Sequence, residues 1–481
     1  MLTNTKIFLN FIKSVMSIFF NRIVPHSSFE AKMVSLKKIK KEHKMAGKPV
    51  VVISGAGPAG LIRGIHSILN GNPTTLIEKR SADQEARANS VALNRESITL
   101  LKNDGIYDYL VENRLIFSQN TETGLSVRLG DLEKAAKAVL SRLTKKQVIV
   151  YDSEISQINS DSNGKIRLNL QKKDGSTIAF SSPVDLLSVG EGARSHTADL
   201  LGISRDQILP NIPAVAAIFK DNRPKITHLS SFLNYAKLTV LNLFANSYYF
   251  SLFALKFIFQ RETPFNPNRK IAGSLILSTP GQHYLGYGLN KEESEKIKKL
   301  SQAVQTAKKR FLEAQAKNNP QAASLKATYL SEKKKYQSSL RHWAYLSFYF
   351  SNVLSVLRCL HGLFHREWLG LNWACWKPID IKRTKMVEIG ADRAKYSFAK
   401  VGSSPVLLSG DTLATVDPTT GLGCNTALIT VWRFDEFLLG LEKKESVDQL
   451  LINYGNAAES KIAYIHQESK WMRKIYRPDA L

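Results

Sequence analysis

The sequence predicts an α/β fold, α+β over its full length, in which segments from both ends of the chain form one discontinuous domain around a mixed-sheet middle domain. Three observations predict it. Near the N-terminus an apolar, β-branched run, Val50-Val51-Val52-Ile53, leads into Gly55-Ala56-Gly57-Pro58-Ala59-Gly60 and then a helical stretch. Near the C-terminus a second apolar run, Pro405 to Leu408, leads into another glycine-rich loop. The composition, 43% hydrophobic and 22% charged over 481 residues, is that of an ordinary globular protein and excludes a wholly disordered, collagen-like or coiled-coil chain. At about 150 residues per domain the length corresponds to roughly three units.

Residues 1–47 read as a basic amphipathic leader. Lys6, Asn10, Lys13, Ser17 and Asn21 recur at helical spacing as one polar stripe on an otherwise apolar segment. A lysine in mid-segment argues against a spanning helix, and the lack of a small-residue cleavage site argues against a secretory signal. An interfacial helix fits, followed by a lysine run from Lys32 to Lys48 that anionic headgroups would attract. Lysine and arginine total 67 against 41 acids, a net charge of +26 that favours anionic partners. No specific nucleic-acid motif accompanies that charge. Three cysteines, Cys359, Cys375 and Cys424, form neither a disulfide framework nor a C-x-x-C pair, which points to a reducing, cytoplasmic setting with peripheral membrane contact through the leader.

The first glycine loop reads strand, tight turn, helix. Gly55 permits the turn, Gly57 lets backbone approach a diphosphate, and Gly60 allows the helix to pack closely on the strand. Pro58 and Ala59 open that helix, whose N-terminus faces the phosphate charge. The next strand, Thr74 to Ile77, ends in Glu78, an acid positioned to accept hydrogen bonds from an adenosine ribose. Lys79 and Arg80 directly after it leave a phosphorylated ribose open. This unit is a Rossmann-like dinucleotide site that does not by itself separate FAD from NAD.

The late loop runs Gly410-Asp411-Thr412-Leu413-Ala414-Thr415-Val416-Asp417-Pro418-Thr419-Thr420-Gly421-Leu422-Gly423-Cys424-Asn425-Thr426-Ala427. Here the chain resembles the para-hydroxybenzoate hydroxylase-like superfamily of single-component (group A) FAD monooxygenases, whose second flavin motif is G-D, a short spacer, P, then G-x-G-x-N-x-A. The resemblance implies that Asp411, following Gly410, bonds the ribityl chain. It implies too that Pro418, Gly421, Leu422, Gly423, Cys424 and Asn425 run beside the flavin ring before opening a helix. A glycine-rich helix N-terminus offers amide donors and a positive dipole end to the charge of reduced flavin. By the same resemblance Arg87, in Arg87 to Leu93, and Arg128, in Ser126 to Leu132, contact FAD. Glu191, in Gly190-Glu191-Gly192-Ala193-Arg194-Ser195, stands where the family has the aspartate of a D-G motif that touches both FAD and the reducing nicotinamide. Arg87 to Leu93 and Gly410 to Ala427 also resemble MICAL-type monooxygenases, which oxidise methionines of proteins.

The resemblance covers about 48–205 and 385–480. Residues 48–205 and 385–481 are therefore the FAD-binding domain with C-terminal helices. Within it, Glu154 to Phe180 reads as a small meander with turns at Asp161 to Gly164 and Lys173 to Gly175. Residues 206–384 are the substrate domain, with strands at Ala214 to Phe219, Ile271 to Leu277 and Tyr284 to Leu289. The uncharged stretch Leu238 to Leu255 reaches spanning length, but Asn242, Asn246 and Ser247 interrupt it and favour sheet or buried helix. Residues 291–345 read as an inserted helical hairpin: apolar residues step from Ile297 to Phe311, break at Asn318-Asn319-Pro320 and resume from Leu325. Its lysine-rich outer face is a solvated surface or a dock for an anionic membrane or an acidic protein. No cluster has metal-ligand spacing, and no serine lies in G-x-S-x-G.

The expected activity is an FAD-dependent monooxygenase in which NADPH or NADH reduces the flavin and O2 adds to give a hydroperoxide that hydroxylates an apolar or aromatic small molecule. The substrate domain offers no motif from which to name a base. An FAD dehydrogenase or reductase without oxygen transfer, a MICAL-like oxidase of a protein partner, and a flavin-fold interaction protein are the alternatives.

Overall fold

The computed structural model describes residues 29–42, 47–84, 87, 89–120, 124–144, 146–220, 274–279, 282–288, 291–341, 381–417 and 422–476. The leader upstream of residue 29, the apolar stretch 238–255 and the flavin-loop residues Pro418 to Gly421 lie outside them.

The chain begins with helix α1 (Phe29–Glu42) and then alternates β1 (Val51–Ser54), α2 (Pro58–Leu69) and β2 (Thr74–Ile77). There follow β3 (Ser90–Leu93), α3 (Arg95–Asn103), α4 (Ile106–Glu112), β4 (Ile116–Asn120), β5 (Gly124–Arg128) and α5 (Leu129–Leu143). Strand β6 (Ile149–Val150), the meander β7 (Ser153–Ser160), β8 (Ile166–Lys172) and β9 (Thr177–Ala179), then β10 (Leu186–Val189) and α6 (His196–Leu200) complete the N-terminal portion. The middle holds β11 (Arg205–Lys220), β12 (Ser274–Thr279), β13 (Gln282–Gly288), α7 (Lys291–Ala316) and α8 (322–341). The chain returns through β14 (Ile381–Ala394), β15 (Phe398–Val401) and β16 (Ser404–Leu408), and closes with α9 (Leu422–Glu442) and α10 (Val447–Tyr476).

The central sheet has the order β15-β16-β10-β1-β2-β6. All its pairings are parallel except β15 with β16. Strands β1, β10 and β16 are buried throughout, the signature of a parallel sheet covered on both faces. Alternate residues feed two cores. Val51, Ile53, Leu186 and Leu407 join one with α2, α5 and α9, while Val52, Leu187, Val189, Val406 and Leu408 join the other with the meander and α10. The meander turns sit where the sequence places them: Asp161 accepts from the amides of Asn163 and Lys165, and Gly164 and Gly175 take positive φ.

Strand β16, made last, lies beside β10 and two places from β1, so residues far apart in sequence share one sheet edge. Arg63 of α2 links them further, donating to Ser188 Oγ of β10 at 2.8 Å and to Tyr454 Oη of α10 at 2.9 Å. The Tyr454 hydroxyl in turn donates to the Leu408 carbonyl of β16.

The second half of the leader differs from a free amphipathic helix. Phe29, Met33 and Leu36 of α1 are buried in the same core as α2 and α5, and Lys40 donates to the Leu143 carbonyl. The segment read as an interfacial helix, Lys6 to Val24, lies outside the described residues; the apolar residues of α1 itself are covered by protein. In the middle domain the sheet order is β12-β13-β11-β14, with β11 and β14 forming a long antiparallel ribbon. Helices α7 and α8 lie side by side, with Phe311 stacked on Tyr329 at 6.3 Å and Ile297 and Leu340 buried at the hairpin base. Among the described residues no helix is long and apolar enough to cross a membrane.

Candidate cofactor site

The first glycine turn is built by close backbone approach. The Gly55 amide donates to the Ile77 carbonyl at 2.8 Å, and the Gly190 amide donates to the Ser54 carbonyl at 2.7 Å, so the turn sits at the shared C-terminal edge of β1, β2 and β10. Gly55 has φ +97, and a Cβ there would lie 2.5 Å from the Gly190 carbonyl oxygen. A Cβ on Gly60 would lie 1.9 Å from the Gly55 oxygen. Gly57 is different: only Arg87 Nη2, at 3.8 Å, comes within 4 Å of its Cβ position. Gly57 is the N-cap of α2 and gives no side-chain cap, while Pro58 at the first turn removes one donor. Gly55 and Gly57 border an open cleft also lined by Glu78, Lys79, Arg80 and Arg87. Lys79 and Arg87 flank this helix N-terminus, where an anion is favoured, while Arg80 beside them is paired with Glu78 and Glu133.

Arg87 reaches this place because its carbonyl accepts from the Gly130 amide at the start of α5, which fixes its backbone and leaves its side chain exposed. Glu133 of α5, which no sequence motif flags, balances the cleft's charge: it lies 3.4 Å from Arg87 and 3.3 Å from Arg80. Glu78 stands where the sequence puts it, but its carboxylate is turned into the protein. It accepts from the Ala56 amide at 2.8 Å, the Arg80 amide at 3.0 Å and the Arg80 guanidinium at 3.0 and 3.1 Å. Burial pushes the Glu78 carboxyl up, and these donors outweigh it and hold it below the usual range. Arg128 is paired with Asp131 three residues on.

The second loop abuts the first. Ser409 donates from its amide to the Val189 carbonyl at 2.8 Å, and the chain then turns through a 3₁₀ segment, Gly410–Thr412. Gly410 has φ +56, and a Cβ there would lie 3.3 Å from Ala59 Cβ and 3.6 Å from Ala427 Cβ. One glycine thus seats the late loop on both glycine-loop helices. Thr412 Oγ1 accepts from the Gly192 amide and donates to the Gly192 carbonyl, each at 3.0 Å.

Asp411 is exposed. Surrounding protein raises its carboxyl, Arg87 and Arg205 oppose that, and Asp392 adds to it. The Cys424 thiol is pushed up to about 12 by burial and by Asp411. Arg87, from the N-terminal third of the chain, and Cys424, from the first turn of α9, therefore both lie in the field of Asp411.

Two of the expected contacts serve the protein itself. Asn425 is buried, accepting from the Asn94 amide at 2.8 Å and donating to the Ala92 carbonyl at 2.9 Å, which ties α9 to the end of β3. Glu191 borders the cleft, but its carboxylate accepts from Ser54 Oγ, Thr197 Oγ1, Ser195 Oγ at 2.7 Å and the Thr197 amide at 3.0 Å. The longer side chain reaches back to cap α6. Leu422 and Gly423 open α9, and a Cβ on Gly423 would lie 3.2 Å from Val416 Cγ2.

Residues that sequence reading missed surround the late loop. Arg205 and Asp392 come from β11 and β14. Asp417 forms a fully buried ion pair with Arg473 of α10, at 2.9 Å. None of these pairs has a sequence spacing that could have announced it.

No family model and no curated protein matches the sequence. Solved structures do match in shape. The chain is similar to p-nitrophenol 4-monooxygenase PnpA from Pseudomonas putida DLL-E4, with a TM-score of 0.55 and 13% identity over 89% of each chain. It is similar to OxyS anhydrotetracycline hydroxylase from Streptomyces rimosus, with a TM-score of 0.52 and 14% identity over 90% of this chain and 70% of that one. Aklavinone-11 hydroxylase, in a ternary complex with FAD and aklavinone, gives 0.53 and 14% identity over 90% and 70%. At these identities the likeness is one of fold: the chain shares the α/β fold of these monooxygenase and hydroxylase structures.

Proposed function

We propose that this chain is an FAD-dependent monooxygenase that uses NAD(P)H and dioxygen to hydroxylate an apolar or aromatic small molecule. The observation that carries the reading is the seating of Gly410 on Ala59 and Ala427, which packs the late loop against the first turn of α2 and of α9. The residues present fit the cofactor. Gly57 leaves room for a diphosphate against the amides of α2, and Lys79 and Arg87 supply positive charge beside it. Asp411 offers an acceptor for ribityl hydroxyls, and the N-terminus of α9 offers a positive dipole end to the pyrimidine edge of the ring.

Bound FAD supplies what side chains cannot, accepting a hydride and activating dioxygen for transfer of one oxygen atom. The protein's own work is to hold the nucleotide, place positive charge where negative charge develops, and exclude water. The absorption spectrum of the purified protein, followed on anaerobic addition of NADPH and separately NADH, tests cofactor and reductant together. Flavin bands that bleach with one of them, followed by isotope-labelled dioxygen appearing in an aromatic product, support the proposal. Bleaching and reoxidation with no labelled product for any aromatic tested would leave a reductase, and a colourless protein that takes up no FAD would overturn the reading.

A further inference from the structure

Arg205, the first residue of β11, belongs to the middle sheet, yet its guanidinium reaches into the late loop. Nη1 donates to the Thr412 carbonyl at 2.6 Å and Nη2 to the Asp411 carbonyl at 3.0 Å. Nε donates to Asp392 Oδ1 of β14 at 3.1 Å, and Nη2 also pairs with that carboxylate. Asp392 is itself fixed: its Oδ1 accepts from Thr415 Oγ1 at 2.8 Å, and its amide donates to the same hydroxyl at 2.9 Å. The 3₁₀ turn ends after Thr412 without a following helical turn, so the carbonyls of Asp411 and Thr412 are chain-end acceptors that need an outside donor. A planar fork anchored on one carboxylate and aimed at two successive carbonyls meets that need.

We propose that Arg205 is a positioning residue for the cofactor, holding the Gly410–Thr412 turn so that the Asp411 side chain faces the ribityl position. This inference rests on the FAD reading above. It makes the first residue of the β11–β14 ribbon a support of the cofactor site, acting through the turn it holds. The charge distribution supports it. Arg87, from the segment before β3, and Arg205 both favour ionised Asp411, while Asp392 opposes it and the thiol of Cys424 stands beside it. Removing Arg205 therefore does two things at once: it frees the turn, and it lets the carboxyl take up a proton at higher pH. A protonated Asp411 is a poorer acceptor for ribityl hydroxyls.

The test is titration of FAD into deflavinated full-length protein, read by quenching of flavin fluorescence across a pH series. Wild type, Arg205→Gln, Arg205→Lys and Asp411→Asn are compared, with thermal melts as the fold control. For Arg205→Gln the dissociation constant at neutral pH is expected to rise by about tenfold or more, and the acid limb of the affinity profile to move to higher pH. Arg205→Lys keeps the charge and loses the fork, so affinity falls while the limb stays near its wild-type position. Asp411→Asn abolishes the limb. An unchanged dissociation constant in folded Arg205→Gln overturns the proposal, as does a weaker constant with an unmoved limb, which a purely structural arginine would give. Should Arg205→Gln fail to fold, wild-type affinity in Arg205→Lys overturns it instead. A wild-type chain that takes up no FAD sinks the cofactor reading first and this inference with it, whereas wild-type uptake with unaffected variants sinks this inference alone.

Discussion

At the scale of single residues, the three glycines of the first loop have different jobs, and substitution separates them. Gly57→Ala meets only the tip of Arg87 and has a φ of −75, open to any residue, so it is expected to cost about 1 kcal/mol or less of stability. Its methyl group points into the cleft, and FAD affinity should fall by about tenfold or more. Gly60→Ala drives a methyl into the Gly55 carbonyl and is expected to cost about 3 kcal/mol of stability. Denaturant midpoints with a cofactor titration distinguish the two. His66 of α2 gives a pH prediction. Burial lowers its pKa, but Asp104 at 3.0 Å and Asp435 at 2.5 Å outweigh that and raise it to about 10. A folded-state pKa above the unfolded value near 6.5 stabilises fully below about pH 6.5, and that contribution is lost as pH rises through about 10. His66→Gln should therefore lower the melting temperature most at pH 6 and hardly at all above pH 10. Gly55 and Gly60 were legible because each answers a local backbone demand. Glu191 was legible only as a departure from a motif; the hydroxyls it turns to, on Ser54, Ser195 and Thr197, became visible once β1 and α6 were side by side.

At the scale of elements, local pattern served where an element answers to its own residues. The meander β7–β9 and the α7–α8 hairpin are set by turn chemistry at Asp161, Asp174 and Asn318 and by apolar steps along each helix. Helix α1 shows where pattern falls short. An apolar stripe beside lysines reads alike whether its cover is lipid or protein, and only the hollow beneath it decides. That hollow includes Gly105, where φ is +75 and a Cβ would lie 2.6 Å from Met33 Cε. Met33, 1% exposed, fills it. Met33→Ala is expected to destabilise the fold by about 2–5 kcal/mol, measured by chemical denaturation. If the helix were a detachable leader, the substitution would leave the midpoint unmoved.

At the scale of the whole molecule, one buried arginine gathers three segments. Arg473 of α10 donates twice to Asp417, at 3.0 and 2.9 Å, and to the carbonyls of Pro210 in β11, at 3.0 Å, and Ile389 in β14, at 3.3 Å. Helix α10 thereby fixes the approach to the late glycine-rich loop and the two strands of the middle ribbon. Arg473→Met leaves the Asp417 charge buried without its counterion and should cost about 3–5 kcal/mol. Combined with Asp417→Asn, the loss should be smaller than the two single losses summed, a coupling that a double-mutant cycle in urea measures. Such ties were invisible in the sequence because Asp417 and Arg473 recur at no helical or strand period. That strands from both ends of the chain share one sheet was foreshadowed by the two glycine-rich loops that follow β1 and β16. The position of β16 in the sheet sets a schedule for biogenesis. At about 5–20 residues per second, roughly 20–70 s separate synthesis of the first nucleotide-gripping turn from that of the second. From its own synthesis until that of β16, β10 is an unpaired apolar edge on a nascent chain, open to wrong partners. On the FAD reading, a nucleotide held by both loops is held only after the second of them has been made.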